Sequence, residues 1–583
     1  MTIYKLFQET VNKYPDQTAL MYKKQGEYTN ITYQQLSNLI DMVASELYRL
    51  GIKKGDTVAI YSYNRPEWAI IDLATQKLGG IVVPIYHVLP AFYLKYIVND
   101  AKIKVLFVEN EKLLAIANSV KNEMPSLKKI FVFEDMGILD GKLAKQGDVQ
   151  EANVTSDDTA TIVYTSGTTG EPKGVMLTHH NIISNALSAI DRFNINHNDV
   201  IVSYLPLSHM FERTCGYYVM MFTGGTIAYA ENFNTIAQDV AKIRPTILIV
   251  LPRVLEKAYQ TGSEKVAKGS WLKKKMVYSA IKNLNRLVNL KYKNIKLPLA
   301  LKIKCAIYRK LVASKFLKIA GGRNRIIVSG GAPLNKAIAK VYYILGFNIA
   351  EGYGLTETSP VVSASTIEDN KLGTVGKPFP DVQVKIGENS EILIKGPNVM
   401  LGYHNKPEDT QQAIDKNGWF HSGDQGKFDE KDNLIITGRI KELIVTSYGK
   451  KIAPIPIEEK LCQCGYIEQI MLFGDKKNYL VALIVPKKQA VEYYAKCNNI
   501  TCQEYHALLQ REEIKSIIEQ EIEKASKDLA HYEKIKQFTL LSEGFTIDNS
   551  MLTPTLKLRR NKVIEKYKNV IEEMYPVRNY KNE

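Results

Sequence analysis

The sequence predicts an α/β protein whose large N-terminal domain is built from layers of parallel sheet and helices. The chain of 583 residues is too long for a single hydrophobic core, so we expect two or more domains. In its N-terminal part, apolar runs alternate with helical patterns, which favours βαβ units and a largely parallel sheet. Beyond Gly373 short strands and turns follow one another, which indicates a smaller β-rich part ahead of a boundary near Gly438.

Turn and capping signals place the individual elements. Thr32 and Gln35 form a capping-box pattern before a helix that runs toward Gly51, and Pro66 begins a helix that ends near Gly79. Further helices are predicted at 91–99, 178–190 and 511–527. Strands are predicted at 57–62, 81–85, 105–108, 160–163, 200–204, 226–230, 246–251, 326–328, 383–386, 391–394, 434–437 and 480–485.

Composition narrows the class of protein. A hydrophobic content of 45% and a charged content of 24% are ordinary for a soluble globular protein. No segment approaches the ~18 uninterrupted apolar residues of a membrane-spanning helix, and the N-terminus lacks a signal-peptide pattern. We therefore expect a cytoplasmic protein. Reduced thiols explain the scattered cysteines more simply than a zinc site built from Cys462, Cys464, Cys497 and Cys502.

The net charge of +16 suggests a nucleic-acid binder, but its distribution argues against one. Residues 265–325 contain 18 Lys and Arg and no Asp or Glu. The rest of the chain has 59 of the 77 basic residues and all 61 acidic ones, so it is nearly neutral. Aromatic side chains and amphipathic stretches such as 299–317 accompany these charges. The segment could lie on anionic lipid, or it could be a solvated helical hairpin; both readings stay open.

Residues 164–174 are the most informative stretch. They contain three glycines, four hydroxyl side chains and one lysine, directly after the apolar run 160–163. Glycines let backbone amides turn toward an anion, and hydroxyls and a lysine add donors and charge. The spacing of a Walker A loop is absent. A flexible surface loop is the alternative, but we interpret the stretch as a loop that grips the phosphates of a nucleotide.

Further motifs follow in order. Residues 329–334 (SGGAPL) place small side chains after a strand, where the backbone could approach a flat ring or a phosphate closely. A plain turn between a strand and a helix explains the same residues equally well. Residues 351–358 (EGYGLTET) combine an aromatic ring that could stack on a base with a hydroxyl and a carboxylate able to hold Mg²⁺. Residues 422–424 and 437–442 supply a carboxylate and a guanidinium. A carboxylate is the usual partner of ribose hydroxyls, although each stretch alone could be an exposed turn. Residues 552–560 (LTPTLKLRR) place a lysine after a turn, or form a solvated basic tail.

Together these strings resemble the adenylate-forming superfamily, which includes acyl-CoA synthetases, adenylation domains and luciferases. The resemblance covers nearly the whole chain. Residues 205–213 (LPLSHMFER), the 552–560 string and an insertion at about 262–325 are similar to long-chain fatty acid–CoA ligases. The resemblance implies an AMP-binding domain at 1–437 and a small mobile α+β lid domain at 438–583.

That family activates a carboxylate with ATP to give acyl-AMP and pyrophosphate, and then transfers the acyl group to CoA. The resemblance implies Mg²⁺ as cofactor, held by Thr165 and Glu357. It implies adenine contacts for Gly331, Ala332 and Tyr353. The whole implied nucleotide site comprises Thr165, Ser166, Gly167, Thr168, Thr169, Gly170, Lys173, Gly331, Ala332, Glu351, Gly352, Tyr353, Gly354, Thr356, Asp424, Arg439 and Lys557.

Roles for the remaining residues come from the same resemblance. Thr356 would meet the α-phosphate, Asp424 and Arg439 would hold the ribose, and Lys557 would bridge the carboxylate and the α-phosphate. His209 would line or gate the acyl channel. Because Lys557 lies far beyond Gly438, it would arrive on the lid, which rotates near 439–441. The loop 446–451, with Gly449 and Lys450, would then face CoA. The family commonly has glycine where this chain has Leu556, a departure that the long-chain branch tolerates.

Three alternatives to a long-chain fatty acid–CoA ligase remain. One is an acyl-AMP ligase that loads a carrier protein, or a CoA ligase for another hydrophobic acid. Another is a non-catalytic lipid or nucleotide sensor, against which the intact Glu357, Asp424, Arg439 and Lys557 argue. A nucleic-acid binder is the most distant, because the charge lies away from any binding motif. No motif encodes the acyl chain length or the oligomeric state.

Overall fold

The structure is a computed structural model that describes residues 1–140, 149–165, 171–232, 235–292, 298–367, 369–502, 504–546, 549–552 and 558–575. At positions 291, 292, 319 and 441 only the backbone is described.

The N-terminal third alternates strands and helices. In chain order its elements are α1 Ile3–Lys13, β1 Thr18–Lys24, β2 Glu27–Thr32, α2 Tyr33–Arg49, β3 Thr57–Tyr61, α3 Pro66–Lys77, β4 Ile81–Ile85, α4 Ala91–Asp100, β5 Val105–Val108, α5 Glu111–Ser119, β6 Lys129–Val132, α6 Phe133–Met136, β7 Thr159–Thr165 and β8 Lys173–Thr178.

The middle of the chain continues the alternation and adds the basic helices. Its elements are α7 His179–Phe193, β9 Val200–Ser203, α8 Val219–Thr223, β10 Thr226–Tyr229, α9 Ile236–Ile243, β11 Ile247–Val250, α10 Pro252–Ala267, α11 Trp271–Tyr292, α12 Leu299–Tyr308, α13 Ser314–Ile319, β12 Ile326–Ser329, α14 Lys336–Ile344 and β13 Ile349–Gly354. Two π-helical segments, Phe211–Tyr218 and Arg309–Ala313, precede α8 and α13.

The last part is richer in antiparallel strands. It comprises β14 Val361–Ala364, β15 Lys377–Pro378, β16 Gln383–Ile386, β17 Glu391–Lys395, β18 Gly402–Tyr403, α15 Pro407–Ala413, β19 Phe420–Phe428, β20 Leu434–Arg439, β21 Ile444–Val445, β22 Lys451–Ile452, α16 Pro454–Cys462, β23 Ile467–Phe473, β24 Leu480–Pro486, α17 Lys488–Cys497, α18 Tyr505–Leu509, α19 Glu512–Ala525, β25 Ile535–Leu540, α20 Arg560–Lys566 and α21 Lys568–Glu573.

Two large sheets with helices packed on them form the N-terminal part. Within the described residues, one sheet has the strand order β6-β5-β3-β4-β7-β8-β18, and its strands β3 to β7 run parallel. The other has the order β2-β1-β10-β9-β11-β12-β13-β14-β15, parallel from β1 to β13. This arrangement confirms the predicted α/β class with parallel-sheet layers. Because parallel strands end at the same edge of a sheet, Thr165, Ser329 and Gly354 stand at strand ends where α/β proteins bind ligands.

Smaller sheets complete the fold, as expected from the short strands beyond Gly373. Strands β16, β17, β19 and β20 form an antiparallel sheet, and β23, β24 and β25 form a separate sheet with α16 against it. The main apolar core lies between the two large sheets and surrounds α3, whose residues 66–76 are all buried. A third core cluster lies within the C-terminal part.

Local signals explain where several helices begin. The Thr32 hydroxyl accepts a 3.2 Å hydrogen bond from the Gln35 N–H, and the Gln35 side chain accepts one of 2.9 Å from the Thr32 N–H. This confirms the predicted capping box of α2. Thr178 and Asn181 form the same reciprocal pair at the start of α7. Strands β4, β5 and β16 have the predicted bounds, whereas other elements differ from prediction by a few residues at their ends, where fraying makes bounds soft.

The basic segment folds as helices α11, α12 and α13. Leu284, Leu287, Leu301 and Cys305 are buried where α11 and α12 pack together. Val277, Ala280 and Val312 form a second small cluster nearby. Among the described residues, none of the helices combines the length and the apolar character that crossing a membrane requires.

Candidate active site

A cavity of about 2430 Å³ lies at the strand ends of the N-terminal part and continues to the C-terminal part. Residues after β12, the end of β13, the end of β20 and helix α16 line it. It brings together thirteen residues that the sequence motifs single out: Thr165, Lys173, His209, Gly331, Ala332, Glu351, Gly352, Tyr353, Gly354, Thr356, Glu357, Asp424 and Arg439.

Other predicted site residues lie elsewhere. Gly449 and Lys450 are exposed in the turn between β21 and β22 and do not line this cavity. The Lys450 ammonium lies 5.7 Å from the centre of the Tyr532 ring. Ser166, Gly167, Thr168, Thr169, Gly170 and Lys557 lie outside the described residues. Leu558, the neighbour of Lys557, does line the cavity.

The most constrained group in the cavity is the Asp424 carboxylate, which is only 3% exposed. The register of β19 and β20 places Asp424 opposite Arg439, whose Nε lies 2.7 Å from Asp424 Oδ1. The Tyr353 hydroxyl donates a 2.7 Å hydrogen bond to Oδ2 of the same carboxylate. Burial alone would lower the pKa of Arg439, but Asp424 and Glu442 raise the pKa above its ordinary value. Arg439 and Tyr353 therefore fix the position of the Asp424 carboxylate from two sides.

Glu351 supplies a second buried carboxyl group at the start of the 351–358 motif. Burial raises the pKa of Glu351 to about 7, although N–H groups of Gly373 and Leu334 and the Lys336 ammonium act in the opposite direction. Within the part of the chain that the structure describes, Glu351 Oε1 has no hydrogen-bond partner. A carboxyl group of this kind can accept a hydrogen bond from a ligand and, when protonated, can also donate one.

Steric constraints explain why glycine occupies two positions at the site. Gly331 has a φ of +81°, a conformation that residues with a side chain rarely adopt. A Cβ at Gly354 would lie 1.9 Å from the Pro360 carbonyl oxygen, so any side chain there would force β13 and the following turn apart. Both positions let the backbone approach the cavity closely, as a flat ring or a phosphate requires.

Lys173 and Glu357 are connected through one tyrosine. The Tyr403 hydroxyl donates a 2.9 Å hydrogen bond to Glu357 Oε1, and the Lys173 ammonium lies 5.0 Å from the centre of the Tyr403 ring. Lys173 Nζ also lies 2.6 Å from Asp409 Oδ1. Sequence reasoning missed Tyr403 and Asp409, because a Gly-Tyr pair and an acidic helix start are ordinary surface patterns.

The donors near Glu357 suit a hard cation. The Thr165 hydroxyl and the Glu357 carboxylate both line the cavity, and oxygen ligands are those that Mg²⁺ prefers. Among the described residues there is no cluster of three or more His, Cys, Asp or Glu arranged to hold a metal ion. Two oxygen donors leave most coordination positions to phosphate oxygens and water, which is how Mg²⁺ is usually bound at phosphate sites.

Apolar side chains line the cavity as well. They include Phe211 and Cys215 of the first π-helical segment, together with Phe193, Ile247 and Ile249. His209 lies two residues before that segment, lines the cavity and accepts a 3.3 Å hydrogen bond on Nδ1 from the Phe211 N–H. Sequence reasoning missed the π-helical segment, which has no signature of its own. Lining residues of this composition suit a hydrocarbon group.

Comparisons with known proteins agree with this geometry. The model of the AMP-binding enzyme family matches residues 7–404, and that of the AMP-binding enzyme C-terminal domain matches residues 441–579. The long-chain-fatty-acid–CoA ligase FadD15 of Mycobacterium bovis is 32% identical over 573 residues, which cover 96% of this chain and 95% of that protein. Fatty acyl-CoA synthetase A of Dictyostelium discoideum is 31% identical over 625 residues, covering 98% and 90%.

A solved structure shares the fold at lower identity. ATP-bound MatB from Rhodopseudomonas palustris has a TM-score of 0.72 and 22% identity, with 98% of this chain and 100% of that chain covered.

Proposed function

Because the chain belongs to the AMP-binding enzyme family, we propose that it is a long-chain fatty acid–CoA ligase that consumes ATP and releases AMP and pyrophosphate. The observation that carries the proposal is one cavity with two kinds of lining. The polar residues Asp424, Arg439 and Tyr353 and the apolar residues Ile247 and Ile249 line the same cavity. A nucleotide and an acyl chain need these two environments side by side.

The reaction has two steps. A carboxylate oxygen of the fatty acid attacks the α-phosphorus of ATP, and the bond to the β-phosphate oxygen breaks, which gives acyl-AMP and pyrophosphate. The sulfur of CoA then attacks the acyl carbonyl carbon, and the thiol proton passes to solvent. The bond between the acyl carbon and the phosphate oxygen breaks, and AMP leaves. The first step brings negative oxygens together, so positioning and electrostatic stabilisation carry most of it.

The cavity is compatible with the nucleotide contacts that the family resemblance implies. Asp424 accepts hydrogen bonds from the ribose hydroxyls, and the ion pair with Arg439 orients that carboxylate. The Tyr353 ring stacks on adenine, while its hydroxyl stays on Asp424. Gly331 and Ala332 leave room for the flat base, and Thr356 meets the α-phosphate.

The phosphate end of the nucleotide lies toward Lys173 and Glu357. Thr165 and Glu357 would hold Mg²⁺, and the bound ion would neutralise charge on the phosphate oxygens. Lys173 contributes a positive charge to the β- and γ-phosphates together with the loop 166–170. Tyr403 orients Glu357 through its 2.9 Å hydrogen bond.

We also propose that residues 438–583 form a mobile lid that delivers Lys557 to the α-phosphate. Two contacts support this. Leu558 lines the cavity, and Arg559 donates a 3.1 Å hydrogen bond from Nη2 to the hydroxyl of Tyr93 on α4. The turn with Gly449 and Lys450, which lies away from the cavity, would face CoA after the lid rotates.

The test is a pyrophosphate-release assay over saturated fatty acids of graded length, with and without CoA. We expect sustained turnover with long chains only when CoA is present. Pyrophosphate release that CoA does not stimulate would contradict the proposal and favour another acyl acceptor, such as a carrier protein. Absence of release with every fatty acid would also contradict it, and would favour a ligand sensor.

Because the proposed substrate is apolar, contact between the protein and a membrane would be useful. The basic helices have a composition that suits such contact. Leu299, Ile303, Ile307 and Leu311 recur every four residues and are 72%, 56%, 52% and 48% exposed. Lys302, Lys304, Arg309 and Lys310 lie among these apolar residues along the chain, and each basic residue contributes about 1 kcal/mol on anionic lipid. We propose that the stripe inserts at the inner face of the cytoplasmic membrane.

Flotation with vesicles separates this proposal from a solvated hairpin. The wild-type protein should float with vesicles containing phosphatidylglycerol and less with pure phosphatidylcholine. An Ile303→Ser, Ile307→Ser double variant should lose this binding, whereas Phe92→Ser, at an exposed position on α4, should keep it. Equal flotation of wild type and double variant would contradict insertion of the stripe.

A further inference from the structure

Lys173 has an anionic partner that the nucleotide site does not require. Its ammonium lies 2.6 Å from Asp409 Oδ1, and the two side chains are 33% and 32% exposed. Asp409 lies in the first turns of α15, and both residues line the cavity. A lysine with a role at the phosphates of ATP is thus already paired with a carboxylate.

The backbone fixes this pairing. Strand β18 pairs with β8, so that Tyr403 lies opposite Val175, and the His404 N–H donates a 2.7 Å hydrogen bond to the Gly174 carbonyl. The Thr410 hydroxyl accepts a 2.9 Å hydrogen bond from the Tyr403 N–H, which ties α15 to the same strand. Asp409 is therefore held beside Lys173 by main-chain contacts, and not only by a flexible side-chain pair.

Tyr403 extends the arrangement to the carboxylate proposed to hold Mg²⁺. Its ring lies beneath the Lys173 ammonium, and its hydroxyl donates to Glu357. The attraction of a cation to a ring face adds to the ion pair. One short segment thus contacts both charged groups that would meet the phosphates.

We infer that Asp409 is a positioning residue that competes with the triphosphate of ATP for the Lys173 ammonium. When ATP enters, Lys173 exchanges Asp409 for the β- and γ-phosphates. When pyrophosphate leaves, the pair with Asp409 forms again and replaces the lost anionic partner. The inference rests on the proposed function and names a residue that sets how tightly the same site binds ATP and pyrophosphate.

The strength of the pair suits such an exchange. Because both side chains are about one third exposed, water and salt screen their attraction, and the pair is weak enough to open. A triphosphate carries several negative charges and makes charge-assisted hydrogen bonds, so it can displace a single carboxylate. Removing the competitor should therefore tighten ATP binding by about two- to fivefold, the range expected for a partly exposed ion pair.

The experiment measures equilibrium binding of Mg-ATP and of AMP to the full-length protein by calorimetry. The variant is Asp409→Asn, and Glu408→Gln is the matched control, because the exposed Glu408 carboxylate lies in the same helix turn. We expect Asp409→Asn to bind ATP about two- to fivefold more tightly than Glu408→Gln does, with equal binding of AMP, which lacks the β- and γ-phosphates. The inhibition constant of pyrophosphate should fall by a similar factor.

A double-mutant cycle tests whether the effect passes through Lys173. In a Lys173→Met background, Asp409→Asn should leave ATP binding unchanged. A gain in that background, equal gains for ATP and AMP, or weaker ATP binding by Asp409→Asn would overturn the inference. Fatty-acid-dependent pyrophosphate release by the wild-type protein is measured on the same preparation. Its absence would refute the proposed function, whereas normal release with unchanged ATP binding in Asp409→Asn would refute only this inference.

Discussion

The Tyr353 hydroxyl donates a 2.7 Å hydrogen bond to Asp424, and the two residues belong to different sheets. Tyr353 lies on β13 of a large sheet, and Asp424 lies on β19 of the antiparallel sheet beside Arg439. Both oxygens of the carboxylate therefore already have a polar partner within the protein, one from Tyr353 and one from Arg439. A carboxylate fixed in this way needs little reorganisation when it receives a ribose.

Replacing Asp424 with Asn should lower kcat/KM for ATP by about 10- to 100-fold, the loss expected when a hydrogen bond to a charged group is removed. The amide cannot accept hydrogen bonds on both sides, and the partly buried Arg439 guanidinium loses its carboxylate partner. Tyr353→Phe, which keeps the ring, should lose about tenfold or less. Pyrophosphate release at varied ATP concentration measures both. Wild-type kcat/KM in Asp424→Asn would contradict a ribose contact.

Lys557→Ala should separate the two half-reactions. We expect acyl-AMP formation to fall by at least about 100-fold, because the positive charge between the carboxylate and the α-phosphate is lost. Thioester formation from supplied acyl-AMP should stay near the wild-type rate. Lys562→Ala, which removes an exposed lysine paired with Glu565 on α20, should change neither rate. Equal loss of both half-reactions in Lys557→Ala would show that this role is wrong.

The parts of the fold that the sequence predicts are those with local causes. Strands β4 and β5 are short, buried apolar runs, and α2 begins with a capping box made by residues three apart. Such signals need only a few neighbouring residues. The motif residues also meet in one cavity, although their individual roles remain predictions. Those of residues 329–334 and 351–358 lie at the ends of the neighbouring parallel strands β12 and β13.

The parts that the sequence did not predict depend on distant partners. The Lys173 and Asp409 pair joins residues 236 positions apart, and Tyr403 lies 46 positions from Glu357. The π-helical segment Phe211–Tyr218 is positioned by Arg213, whose partner Asp72 lies 141 positions earlier. No periodicity or turn signal in a single sequence specifies such contacts.

The Asp72 and Arg213 pair should dominate the stability of the region between the sheets. Both side chains are 0% exposed, and their atoms Oδ1 and Nη2 are 2.5 Å apart. Asp72→Asn leaves the buried guanidinium uncompensated, so we expect the free energy of unfolding to fall by about 3–5 kcal/mol. Asp41→Asn, which breaks the partly exposed pair with Lys77, should cost about 1 kcal/mol or less. Equal losses in denaturant titrations would contradict this difference.

Glu212, next to Arg213 on the same π-helical segment, should make stability depend on pH. It is 1% exposed, and burial raises its pKa to about 8 from an ordinary value of 4.5, although Ser203 partly opposes the shift. Between these values the folded protein keeps the proton and the unfolded chain does not, so the stability of the wild type falls as pH rises. Above about pH 8 both states are ionised and the slope ends.

Glu212→Gln removes this titration while keeping the shape of the side chain. Its free energy of unfolding relative to wild type should therefore increase from pH 4.5 to about 8 and then level off. Denaturant titrations of both proteins at several pH values measure the difference. A constant difference between Glu212→Gln and wild type over this range would mean that Glu212 is ionised in the folded protein, with a compensating positive group beside it.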